Sequence, residues 1–119
     1  MQMDDFPIAF GVHRHDPPGL EICINFGVMT GRGASPAEID RLAEWLLDEI
    51  GSVSIISEER HEIDAHGEAA VHQVRIEVPT ERVPVEFEDR RLLEERLVER
   101  AEHWTRLCVS DRHLDNADV

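Results

Sequence analysis

Between Ile8 and Val28, apolar and polar positions alternate on both sides of His15-Asp16-Pro17-Pro18-Gly19. Ile8, Phe10 and Val12 share one face of a first strand, read from Ile8 to Arg14. Leu20, Ile22, Ile24, Phe26 and Val28 share one face of a second, alternating with Glu21, Cys23, Asn25 and Gly27. A period of two marks strands with one buried face. Matching apolar residues across the turn sets Val12 against Ile22, Phe10 against Ile24 and Ile8 against Phe26.

Thr30-Gly31-Arg32-Gly33-Ala34 interrupts this pattern, and a helix start follows. Ser35 is placed to cap, Pro36 suits the first helical position, and Glu38 completes a capping box. Ile39, Leu42, Ala43, Leu46 and Ile50 form one stripe, and Gly51 is expected to end the helix in the left-handed conformation. Trp45 lies off the stripe, where an indole folds over a neighbouring element or marks a contact surface.

The period then returns to two. Val53 to Ile63 and Ala69 to Val78 read as strands joined by Asp64-Ala65-His66-Gly67. The register that buries aliphatic side chains together pairs Val53 with Val78, Ile55 with Ile76 and Ser57 with Val74. It also sets Glu59 opposite His72 and His61 opposite Ala70. Pro79 to Glu88 reads as a connector with a short edge strand at Val85. A last helix is expected from Asp89 to Ser110 or Arg112, burying Leu93, Leu97, Ala101, Trp104 and Cys108.

The order ββαββα defines a fold class. It is α+β, a four-stranded antiparallel sheet with two helices on one face, arranged as a permuted ferredoxin-like fold with the first strand beside the second. The 119 residues suit a single domain, with 1–6 and 114–119 as flexible ends. The sheet face away from the helices is expected to carry Ala9, Gly11, Cys23, Asn25, Gly27, Ile56, Arg75 and Glu77.

Charge narrows the partners. A formal charge of −14 repels nucleic-acid phosphates and anionic lipid, so neither nucleic acid nor membrane is expected, and basic partners are favoured. The acidic start and the lack of a long apolar run point to a cytoplasmic protein. All 12 basic residues are arginine, a compositional bias rather than a functional choice. Cys23 and Cys108 fall on different sides of the sheet and are expected as free thiols.

Two constellations could carry chemistry. Gly31, Arg32, Gly33 and Ser35 precede a helix N-terminus, where free N–H groups and the helix dipole favour a small anion. The spacing matches no phosphate-binding fingerprint. Glu59, His61 and His72 share a strand face and offer a carboxylate and two imidazoles, a sufficient ligand set for a metal such as zinc. No serine or cysteine has an evident histidine partner for nucleophilic catalysis. The sequence leaves the cofactor unknown. The reading that remains is a small acidic binding or regulatory module, non-enzymatic and homodimeric, taking a protein or small ligand. Its alternatives are a metal-dependent protein or enzyme at Glu59, His61 and His72, and an anion binder at the glycine turn.

Overall fold

The computed structural model describes residues 7–13 and 19–117, with the side chains of 62, 69 and 111–117 left aside. The expectations for residues 1–6, for most of the Pro-Pro turn and for the last two residues lie outside the described residues. Four strands form one antiparallel sheet: β1 (Ala9–His13), β2 (Leu20–Ile24), β3 (Ser54–Asp64) and β4 (Gly67–Val78), in the order β1-β2-β4-β3. Three helices join them: α1 (Phe26–Thr30), α2 (Pro36–Ile50) and α3 (Phe87–Ala117). The α+β class and the four-stranded antiparallel sheet are as the sequence predicts.

The core forms where the helical stripes meet the inward face of the two central strands. Leu20, Ile22 and Ile24 of β2 and Val74, Ile76 and Val78 of β4 pack with Leu42 and Leu46 of α2. Leu93, Leu97, Ala101, Trp104 and Cys108 of α3 close the same cluster. Trp104 is fully buried, and its indole N–H donates to the Glu38 carbonyl over 2.8 Å. That bond supplies the partner a buried indole requires.

The second hairpin has the expected register. Ile55 faces Ile76, Ser57 faces Val74, Glu59 faces His72 and His61 faces Ala70. The first hairpin does not. Ala9 pairs with Ile24, Gly11 with Ile22 and His13 with Leu20, a slip of one residue from the apolar matching. The slip turns Phe10 and Val12 to the outer face and Ala9 and Gly11 toward the helices. On that inner side α3 crosses close above β1, with the Glu94 carboxylate carbon 2.6 Å from where a Cβ on Gly11 would fall, and the small Ala9 and Gly11 lie beneath it.

The second strand also ends sooner than its alternation suggests. After Ile24 the Asn25 N–H donates to the Ile8 carbonyl, 2.9 Å, and its side-chain amide donates to the Pro7 carbonyl, 2.8 Å. The chain then coils into α1, which turns Phe26 into the core, 5.1 Å from the Trp104 ring. Phe26 is thus buried as its period implies, but from a helix. Gly31 ends α1 in the left-handed conformation, at φ 75° and ψ 15°. Gly51 ends α2 at φ 87° and ψ −153°, outside the left-handed well expected for it.

Two further boundaries differ. A 3₁₀ turn at Thr80–Arg82 occupies the connector, and Val85 is 93% exposed and belongs to no strand. Helix α3 starts at Phe87 and continues to Ala117, past Arg112. Neither cysteine is in a disulfide and both are buried, Cys23 on the outer sheet face and Cys108 in the core. No helix among the described residues is long and apolar enough to cross a membrane.

Candidate functional site

At the glycine turn the four predicted residues come together, and their polar groups are largely engaged within the chain. Ser35 caps α2 by accepting from the Glu38 N–H, 3.2 Å, while the Glu38 carboxylate accepts from the Ser35 N–H, 2.9 Å. Arg32 donates both guanidinium nitrogens to the same carboxylate at 2.7 Å each. It also donates to the carbonyls of Gly33 at 2.9 Å and Cys108 at 3.3 Å, and lies 5.5 Å over the Phe26 ring. Thr30 Oγ1 donates to the Phe26 carbonyl, 2.9 Å, and accepts from the Arg32 N–H, 3.3 Å, fastening the turn to α1. The negative charge at this helix N-terminus is therefore Glu38 itself. Its bidentate bond to Arg32 holds the carboxyl at about 2, against the opposing effect of burial. The sequence shows Glu38 only as a capping partner; its pairing with Arg32 depends on how the turn folds back.

The hairpin histidines are aligned as predicted but do not converge on one point with Glu59. His61 Nδ1 lies 2.7 Å from the Glu68 carboxylate across the hairpin, both side chains being more than half exposed. His72 is half-buried beneath the turn, where a Cβ on Gly33 would lie 3.1 Å from its Nδ1. Among the described residues no three His, Cys, Asp or Glu side chains are grouped to hold one metal ion.

The outer sheet face carries a third constellation, centred on Arg75. Its Nε lies 3.3 Å from Glu58, off the line of a hydrogen bond, and Nη1 lies 3.7 Å from Glu21 and 3.8 Å from Glu77. Glu21 and Glu77 oppose each other on β2 and β4. Opposed like charges destabilise a sheet, so the guanidinium between them is a structural requirement. Three carboxylates around one guanidinium leave the face with excess negative charge. Beside them stand Cys23 and Ile56, next to Arg75 in the register, and Phe10 and Val12 on β1. Phe10 is 38% exposed.

Of the expected face, Cys23, Ile56, Arg75 and Glu77 are in place. Ala9 and Gly11 are turned to the helices by the slip, and Asn25 and Gly27 lie beyond the end of β2. Phe10, Val12, Glu21 and Glu58 are the residues the sequence reading missed. The alternate small residues Ala9 and Gly11, on one face of β1, are the signal in the sequence that a helix passes close over that face.

The helical layer has one further cluster. Trp45 stacks on His103, with ring centres 5.7 Å apart, and Arg100 sits 5.7 Å over the indole. Glu49 accepts from Arg96 at 3.0 Å and Arg100 at 3.3 Å, which lowers its pKa. A cleft of about 560 Å³ opens beside Glu49 and Arg96, floored by Ile50, Pro84, Leu92 and Leu93. Trp45 thus fastens α2 to α3, as an off-stripe indole does when it folds over a neighbour. An α+β domain with three helices on one side of its sheet is the class these features define. No known protein family, curated protein or solved structure matches this chain.

Proposed function

We propose that this protein is a small acidic binding module, non-enzymatic and self-associating, whose outer sheet face takes an extended basic segment of a partner polypeptide. One observation carries the reading: α1, α2 and α3 pack on one face, and among the described residues no helix or strand lies over the opposite face, although Glu21 and Cys23 at its centre are themselves buried. An antiparallel sheet that faces only water alternates apolar inside with polar outside. Here the outer face instead carries Phe10, Val12, Cys23 and Ile56 around a carboxylate-rich centre. Apolar flanks with an excess of Glu suit a strand-like segment that alternates arginine or lysine with aliphatic residues. The charge of −14 favours the same partners and steers their approach.

The test is titration of a fluorescent peptide alternating Arg and Val, beside one alternating Glu and Val. The Arg peptide binds, the Glu peptide does not, and Glu58→Gln with Glu77→Gln weakens binding about tenfold. Equal weakening by Glu99→Gln with Glu102→Gln on α3 would reduce the effect to net charge and contradict the assignment of the face.

A further inference from the structure

β3 is an outer strand with an unusual edge. It runs for 11 residues, roughly twice the common strand length, and pairs with β4 without a break from Ser54–Glu77 to Asp64–Gly67. No proline or bulge interrupts it, two of the devices that ordinarily stop a sheet edge from pairing with another chain. Charge, a third, is present at Glu58, Glu59, Arg60, Glu62 and Asp64 and must be matched across any pairing. Its other edge has no strand beside it among the described residues. Near the tip Ile63 is 76% exposed, an aliphatic side chain for which the hairpin offers no cover.

From this edge we infer that two copies of the protein associate through antiparallel pairing of β3 with β3, joining two four-stranded sheets into one of eight strands. The inference rests on the self-association proposed above and supplies its route. A two-fold axis perpendicular to the sheet keeps each copy's helices on the same side, so opposed residues must share a face. Centring that axis on Glu59 sets Ile63 of each copy opposite Ile55 of the other, and Glu58 opposite Arg60 of the other. Both contacts occur twice by symmetry. Ile55 already packs against the core, so Ile63 would extend an existing apolar surface. Moving the axis one residue to Arg60 sets Arg60 against Arg60, Ile63 against Ser57, and Ile55 against Ala65 of the turn, outside β3. Moving it to Glu58 sets Glu58 against Glu58 and Ile63 against Val53, one residue outside β3, where the ladder has already ended.

The favoured alignment has one cost. The two Glu59 carboxylates meet at the axis, with Ser57 and His61 as the next pair on that face. Like charges directly opposed weaken a pairing, so this position sets the strength of the dimer.

Sedimentation equilibrium on purified full-length protein tests the route, with circular dichroism confirming that each variant is folded. The wild type dimerises, and Glu59→Gln tightens the dimer severalfold. Arg60→Glu weakens it about tenfold, and Glu58→Arg combined with Arg60→Glu restores it, since the exchange regenerates the pair. Ile63→Asp weakens it by a similar factor. A dimer that ignores these edge variants but dissociates on Ile56→Glu, on the outer face, overturns the edge route and leaves self-association standing. A wild type and a Glu59→Gln variant that both remain monomeric overturn the edge route and self-association together.

Discussion

Gly11 of β1 lies directly beneath Glu94 of α3, with no room for a side chain between them. Glu94 also contacts the His13 imidazole on the same strand face. The obstacle is the end of a flexible carboxylate, which swings aside. Gly11→Ala should therefore cost about 1 kcal/mol or less, read as a small drop in the urea midpoint.

Gly27 provides the contrast. A Cβ there would fall 2.9 Å from the backbone nitrogen of His72 and 3.0 Å from its carbonyl oxygen. Backbone in a sheet does not yield as a carboxylate does. Gly27→Ala should cost about 2 kcal/mol or more despite the better helix propensity of alanine, so it must be the more damaging of the two substitutions. Equal midpoints for the two variants would contradict the seating of α1 on β4.

Acid should act through Glu38. Its folded-state pKa, about 2, lies below its ordinary 4.5, so the Arg32–Glu38 pair contributes fully above about pH 5. That contribution, on the order of 3 kcal/mol, is lost as the pH falls from 4.5 towards 2. Thermal melts of wild type and Glu38→Gln should differ at pH 7 and converge near pH 2. With Glu38 at the helix N-terminus, phosphate should raise the wild-type melting temperature no more than an ionic-strength control does.

The hydrophobic core makes a further prediction. Trp104 is fully buried against Phe26 and bonded to the Glu38 carbonyl. Trp104→Ala should cost about 3–5 kcal/mol, through the cavity it leaves and the lost ring contact. Trp45→Ala, at the half-exposed seam with His103 and Arg100, should cost about 1 kcal/mol. Chemical denaturation of both variants checks the ranking.

What could be read in the sequence follows from where the information is local. The Ser35–Glu38 capping box, the α2 and α3 stripes and the β3–β4 register all rest on spacing within one element or hairpin. They were legible. The β1–β2 register is not local in this way: apolar matching favours Phe10 with Ile24, whereas the packing of β1 under α3, as at Gly11 and Glu94, joins residues far apart in sequence. Phe26 fits a strand and a short helix equally well by period, and only the bonds from Asn25 to Pro7 and Ile8 show where the strand stops. The Arg75 cluster depends on both registers, so half of it stayed hidden with the first.

Self-association is the claim on which the route through β3 depends, and sedimentation equilibrium of the wild-type protein over a wide concentration range tests it most directly. The predicted result is a reversible monomer–dimer equilibrium that fits a mass close to twice 13.6 kDa at the upper end. A single species at 13.6 kDa throughout would contradict it.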